Sequence, residues 1–350
     1  MAQLIDFPSS NIPVRHPKWE LVYAGKPITA GIARMVTEVT YTEKLNGEAS
    51  ELEVKIADDK KRWQGAWFPD KGDVVHLEIG YENETMLDCG DFQIDELELT
   101  GAPDEFHLRC ISAAITTAAR TPTSVGYENQ TLLSIATTIA AKHGWTISGL
   151  PATINVSYGR VTQNKETDLG FLRRLANGAN YYFTVQGNNL IFWSRPAAEA
   201  LPAVLQITRT MLTRFSFKSK AHQIYKAARV SYLNPATKQL VTQSVAANPA
   251  VPNGDTLDIT DRAENAQQAQ IKAQAALHDL NMLTVTGELT LPGSTSLHAG
   301  LNVGVEGFGA YDGTYQITSA RHRLDRSSGY TTEIEIRQCA GGDADNSAGD

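Results

Sequence analysis

The sequence is short of the features that most catalysis, metal binding or membrane insertion would need. Its 350 residues hold three cysteines, Cys89, Cys110 and Cys339. An odd count without Cys-x-x-Cys spacing argues against a disulfide framework and against a zinc site, so the thiols read as buried and free. No apolar run approaches the roughly 20 residues a bilayer requires. Met1 to Ser10 lacks the basic stretch and apolar core of a secretory leader. The expectation is synthesis in the cytoplasm and no membrane association.

Catalytic motifs are missing too. There is no Gly-x-Ser-x-Gly elbow, no His-Glu-x-x-His and no Walker-type phosphate loop. Gly304, Gly307 and Gly309 have the wrong order for a dinucleotide fingerprint. The eight histidines are scattered, and none lies four residues from another. His322, between Arg321 and Arg323, reads as part of an exposed face. Glu166 and Asp168 could form an acid pair, but a helix start explains them with less. Asp343, Asp345 and Asp350 lack the glycine and terminal glutamate of an EF-hand loop. No catalytic residue, cofactor or metal ligand is assigned.

What is present is an ordinary soluble composition, 42% hydrophobic and 20% charged, long enough for two or three domains. The net charge of −8 gives no reason to expect specific nucleic-acid binding. The charge is unevenly spread. Residues 1–116 hold 21 acids and 11 bases, whereas 209–238 hold seven bases and no acid.

Alternation divides the chain. Residues 18–112 read as antiparallel strands with one wet face: Leu52, Val54 and Ile56 alternate with Glu51, Glu53 and Lys55, after a turn at Asn46-Gly47. Residues 117–200 read as a compact α/β unit. Thr131 caps one helix that stops at His143-Gly144, and a second runs from about Thr167 to Ala176 with a Leu169, Leu172 and Leu175 stripe. That stripe is expected to pack on the following hairpin, Tyr181–Val185 and Leu190–Trp193, through Tyr182 and Phe192. Residues 201–340 return to strands, with a helix inserted after Asp261. Residues 341–350 have the composition of a disordered acidic tail.

The two strand-rich parts resemble each other. KGDVVHLEIG, GDFQIDELEL and EFHLRC (71–80, 90–99, 105–110) match AGLNVGVEG, GTYQITSARH and TTEIEIRQC (299–307, 313–322, 331–339) in order and approximate spacing. Gly72 pairs with Gly300, Gly90 with Gly313, Phe92-Gln93-Ile94 with Tyr315-Gln316-Ile317, and Arg109 with Arg337. The fold class expected is β-rich α+β: two tube-like β-barrel domains related by internal duplication (1–116 and 201–340), with a small α/β domain (117–200) between them.

The segment QNKETDLGFLRRLANGANYYFTVQGNNLIFW (163–193) resembles the signature of the phage late control protein D family. Gln163, Asp168, Phe171, Leu172, Leu175, Ala176, Tyr181 and Tyr182 fill the positions of its pattern. YENQTLLSIATTIAAKHGW (127–145) is similar to the helix before it, and YQITSARHRLDRSSGYTTEIEI (315–336) to the family's closing hairpin. The resemblance implies the baseplate hub of a contractile tail, the fold shared with the first part of VgrG. It implies a homotrimer whose six barrels join a hexameric tail tube to a trimeric central spike. Tape measure and baseplate wedge proteins are the further partners expected. Such a subunit would be made in the bacterial cytoplasm and end in the baseplate of a phage virion or of a bacteriocin-like particle. VgrG chains continue into a spike, so a separate spike protein is the expectation here. A cell-wall-degrading tail enzyme and a receptor- or glycan-binding tail module are the competing readings. Within the trimer, acids Asp88, Asp91, Asp95 or Glu96 of one chain are expected near Arg214, Lys218, Lys220 or Lys226 of the next.

Overall fold

The computed structural model describes residues 15–45, 49–113, 119, 121–149, 156–186, 188–220, 224–233, 238–247, 254–259 and 263–343. The turn expected at Asn46-Gly47 lies outside them. So do Asp261 and the tail beyond Asp343.

The first part contains β1 (Pro17–Tyr23), β2 (Lys26–Pro27), the short α1 (Thr29–Ile32), β3 (Val36–Lys44), β4 (Glu51–Ala57), β5 (Val74–Tyr81), β6 (Leu87–Thr100) and β7 (Glu105–Ser112). The middle contains β8 (Thr123–Thr131), α2 (Leu132–His143), β9 (Thr146–Ser148), β10 (Ser157–Glu166), α3 (Asp168–Gly178), β11 (Tyr181–Gln186), β12 (Asn189–Ser194) and α4 (Arg195–Glu199). The last part contains β13 (Gln206–Thr208), β14 (Arg214–Ser219), β15 (Tyr225–Leu233), β16 (Leu240–Ala246), β17 (Asp255–Ile259), α5 (Ala266–Asn281), β18 (Val285–Pro292), β19 (Asn302–Glu306), β20 (Gly313–Asp325) and β21 (Gly329–Asp343).

The first and last parts share one 13-stranded sheet. Its two halves run in the same strand order, β3-β4-β7-β6-β5 and β14-β18-β21-β20-β19. They meet where β20 pairs antiparallel with β3, from Ser319 opposite Lys44 to Asp325 opposite Glu38. Each half buries its own apolar face. Leu52, Val54, Ile56, Phe92 and Phe106 fill the first core, and Leu289, Val303, Tyr315, Ile317 and Ile334 the second. The alternation is the cause, because residues two apart point to one side of a strand. Gly72 and Gly300 precede β5 and β19 with φ of +94° and +92°, a turn that favours glycine in both halves.

The matching of Arg109 with Arg337 needs correction. Gln93 pairs with Ile111, and Gln316 with Arg337, while Arg109 pairs with Glu96. The counterpart of Arg337 is thus Ile111, a slip of two residues that keeps the face but changes the position. His322 needs correction as well, since it is fully buried rather than exposed. It sits on the same side of β20 as Ala320 and Leu324, between the two arginines that face out.

The middle part builds a separate core. Thr131 caps α2 by accepting from Ser134 N at 3.1 Å, and Gly144 ends the helix in the left-handed conformation. Thr167 caps α3 by accepting from Gly170 N at 3.0 Å. Leu169, Leu172 and Leu175 pack with Phe183, Leu190 and Phe192. Phe183, not Tyr182, faces the helix; strand alternation turns Tyr182 to the opposite side, where its hydroxyl meets Glu199 at 3.3 Å and the Arg337 guanidinium. The antiparallel ladder of β8 with β10 was not foreseen. The insertion after β14 is also more than a helix: β16-β15-β17 form a three-stranded sheet against α5. Asn265 caps α5, accepting from Gln268 N at 2.8 Å. Strand β21 reaches Asp343, so the first three residues of the expected acidic tail are strand.

Candidate functional site: a polar sheet face between two strand edges

The signature residues of the middle part do structural work. Gln163 is fully buried, and its amide donates to Asp168 Oδ1 (2.8 Å), Thr123 Oγ1 (2.9 Å) and the Glu166 carbonyl (2.9 Å). Asp168 also accepts from Lys142 Nζ and approaches His143 Nε2, both at 2.7 Å. Burial works against its charge, but the bonds from Lys142, Gln163 and His143 outweigh it and hold the carboxyl below its ordinary range. Glu166 turns away to Arg174 at 3.0 Å. The two acids do not share a site, and each is consumed by a local ion pair. Among the described residues no group of three or more His, Cys, Asp or Glu is arranged to hold a metal ion. Burial pushes the Cys110 and Cys339 thiols up to about 12.

The surface with the most organised charge is the polar face of the large sheet. Alternation that sends Val39, Tyr41, Val54, Leu289 and Ile334 inward sends ionised residues outward on the same strands. Glu38 lies at the centre of that face. Arg323 bonds it across the junction at 2.6 Å and Lys55 at 3.0 Å. Burial opposes ionisation of Glu38, yet the bonds from Lys55 and Arg323 keep its carboxyl below the usual range. Toward one end, Arg109 spans Glu96 (3.1 Å), Glu98 (3.5 Å) and Glu53 (3.8 Å). Toward the other, Lys218 reaches Glu288 at 3.6 Å and Arg321 reaches Glu333 at 3.9 Å. Acids and bases interleave across both halves. The face is a wetted, ion-paired wall.

Two strand edges bound this wall. At one end β14 pairs, among the described residues, with β18 alone. At the other, Glu96–Thr100 of β6 pair with β7, because β5 leaves the strand after Gln93. The eight residues expected at a subunit contact divide between these places and others. Asp95 and Glu96 lie at the β6 edge, and Arg214, Lys218 and Lys220 on or just after β14. Asp88 and Asp91 lie further back on β6, beside His76 at 3.6 and 2.9 Å. Lys226 is on β15, in the inserted sheet. Glu98 and Leu99, outside that expectation, lie on the same β6 edge.

Trp63 and Trp67 share one short loop. Trp63 is buried and stacks on Phe106 (centroids 5.6 Å apart), and Trp67 stands edge-on to Trp63 at 5.9 Å.

The fold is that of tail proteins. It is similar to the 43 kDa tail protein of prophage MuSo2 from Shewanella oneidensis, with TM-score 0.69 and 14% identity over 93% of this chain and all of that one. It is also similar to an E. coli protein described as a component of the type VI secretion system with structural similarity to T4 bacteriophage tail proteins. There the TM-score is 0.56 and the identity 13%, over 86% of this chain and 73% of that one. In sequence it is 26% identical over 228 residues, 65% of this chain and 57% of the other, to the probable baseplate hub protein of Escherichia phage 186. The chain spans about half the length of the curated relatives it matches. The model of the phage tail baseplate hub (GPD) family matches residues 93–328, and the chain belongs to that family.

Proposed function

We propose that this chain is a non-enzymatic structural hub, three copies of which form a ring that joins a hexameric tail tube to a trimeric central spike. The observation that carries the reading is the large sheet: one chain supplies two halves of the same strand order, already joined edge to edge. Three such chains present six similar units, which match a sixfold partner on one side while keeping threefold symmetry for the other. Closed rotational symmetry then requires a head-to-tail contact between the last half of one chain and the first half of the next. The shared order of the halves also supports descent from one duplicated unit.

The interleaved charges of the polar face suit the wall of a water-filled passage, since paired charges neither hold a charged cargo tightly nor repel it. The partners proposed are a spike protein, a tube protein and, less directly, tape measure and wedge proteins. Native mass spectrometry of the purified chain tests the copy number: three times the monomer mass is expected, and a stable dimer would overturn the ring. A peptidoglycan zymogram tests the structural role, and clear lysis by the isolated chain would contradict it.

A further inference from the structure

The two free edges of the sheet are counterparts of the two strands that meet at its centre. The register shows this residue by residue. On the first half, Thr40 pairs with Glu53, Glu53 with Arg109 and Arg109 with Glu96. On the second, Ser216 pairs with Glu288, Glu288 with Glu335 and Glu335 with Ser319. The two rows correspond strand for strand. Each last strand carries an irregularity at the same place, between Ile94 and Glu96 in β6 and between Ile317 and Ser319 in β20. Hence β14 corresponds to β3, and the Glu96–Thr100 stretch of β6 corresponds to the stretch of β20 that begins at Ser319.

At the centre, Ser319 stands opposite Lys44, Arg321 opposite Thr42 and His322 opposite Tyr41. We infer that the same junction recurs between copies of this chain, with β6 of one copy adding to β14 of the next. In that register Glu96 stands opposite Lys220, Glu98 opposite Lys218 and Leu99 opposite Phe217. The occupant of each free edge is thus a second copy of the chain; only the number of copies rests on the hub reading.

Two independent observations support the pairing. The first is burial. His322 and Val39, sealed by the central junction at 0% and 1% exposure, have as counterparts Leu99 at 48% and Phe215 at 38%, two of the large apolar side chains left open to water. A strand added in this register would cover both. The second is charge. The register transfers no charged pair from the centre, where Lys44 and Arg321 face a serine and a threonine. Yet it sets Glu96 and Glu98 of the β6 edge against Lys220 and Lys218 of the β14 edge. Opposite charges directly across an antiparallel ladder stabilise it, and like charges destabilise it. The arrangement also disfavours β6 against β6 and β14 against β14, which makes the contact head-to-tail. Asp88, Asp91 and Lys226 take no part.

The test is charge reversal in the full chain, read by analytical ultracentrifugation and native mass spectrometry. Glu98→Lys and Lys218→Glu are surface changes, and unchanged circular dichroism would show that the fold survives. Each alone should raise the concentration for half-assembly by about tenfold or more. The double reversal should return it to within about threefold of the parent, and the deficit of each single variant should shrink in high salt. Lys226→Glu is the control expected to change nothing. Trimers that persist unaltered in both single variants would overturn this edge pairing while leaving the hub reading in place. A parent chain that never assembles would overturn both.

Discussion

Acid should weaken the junction between the two half-sheets through His322. Its imidazole is enclosed by Tyr41, stacked at 5.9 Å, and by the rings of Tyr330 (6.0 Å) and His298 (6.3 Å). Nε2 lies 3.1 Å from the Leu297 carbonyl, which can only accept, so the neutral ring carries its proton there. Nδ1 is left to accept from the Tyr330 hydroxyl at 2.9 Å. Burial, then the charge of His298, push the pKa from 6.5 to about 4. Between those values the unfolded chain binds a proton that the folded chain refuses, so stability falls as pH falls. A gap of about 2.5 pH units at about 1.4 kcal/mol per unit removes roughly 3 kcal/mol by pH 4. His298 acts with the opposite sign. The hydrogen bond it donates to the Glu43 carboxylate at 3.3 Å raises its pKa, so its contribution is present in acid and is lost as pH rises through the folded value. It blunts the slope without reversing the difference that His322 makes.

The assay is urea unfolding at one protein concentration from pH 7 to pH 4.5, for the parent and His322→Phe. The variant loses the ring's hydrogen bonds with Leu297, Tyr330 and Thr332 and should be about 1–3 kcal/mol weaker at pH 7. That deficit should close as the pH falls, because phenylalanine does not titrate. A deficit that stays constant over the whole range would refute the reasoning.

Three further outcomes are expected. Leu172 is fully buried under the β11–β12 hairpin, so Leu172→Ala should cost about 2–5 kcal/mol in the same unfolding assay. The Asn302 amide donates to the carbonyls of Ala198 (2.9 Å), Glu199 (3.1 Å) and Leu201 (2.8 Å), tying the end of α4 to β19. Asn302→Ala should therefore cost about 1–3 kcal/mol and raise hydrogen exchange around residues 198–201. Thiol titration at pH 8 should leave Cys110 and Cys339 unreacted in the folded chain and modify both in denaturant, since burial holds both thiols protonated.

The strands were legible in the sequence because alternation and glycine placement are local signals. Leu52, Val54 and Ile56 announce a face without any tertiary knowledge, and the Thr131 and Thr167 caps announce helix starts. What was hidden depended on partners distant in the chain. His322 sits between two arginines, and only the register of β20 against β3 reveals that it points inward. The ladder of β8 with β10 was hidden because Thr123–Thr131 has mostly polar, exposed residues and no clean alternation. Arg109 and Arg337 aligned by letter but not by register, since the second half carries two more residues before its arginine. The charges that the proposed contact uses are visible in the sequence as an acidic first part and a basic 209–238 stretch. Which of them stand on free edges is a property of strand order. The proposed edge pairing therefore adds Glu98 and leaves out Asp88, Asp91 and Lys226.

The measurement that bears most directly on the hub reading is a cryo-electron microscopy reconstruction of the chain in an assembled tail or tail-like particle. A threefold ring is expected in which first and second half-sheets alternate around the axis, their ion-paired faces lining the passage. A single copy on the axis, or half-sheets that fail to alternate or turn their apolar cores toward the passage, would contradict it.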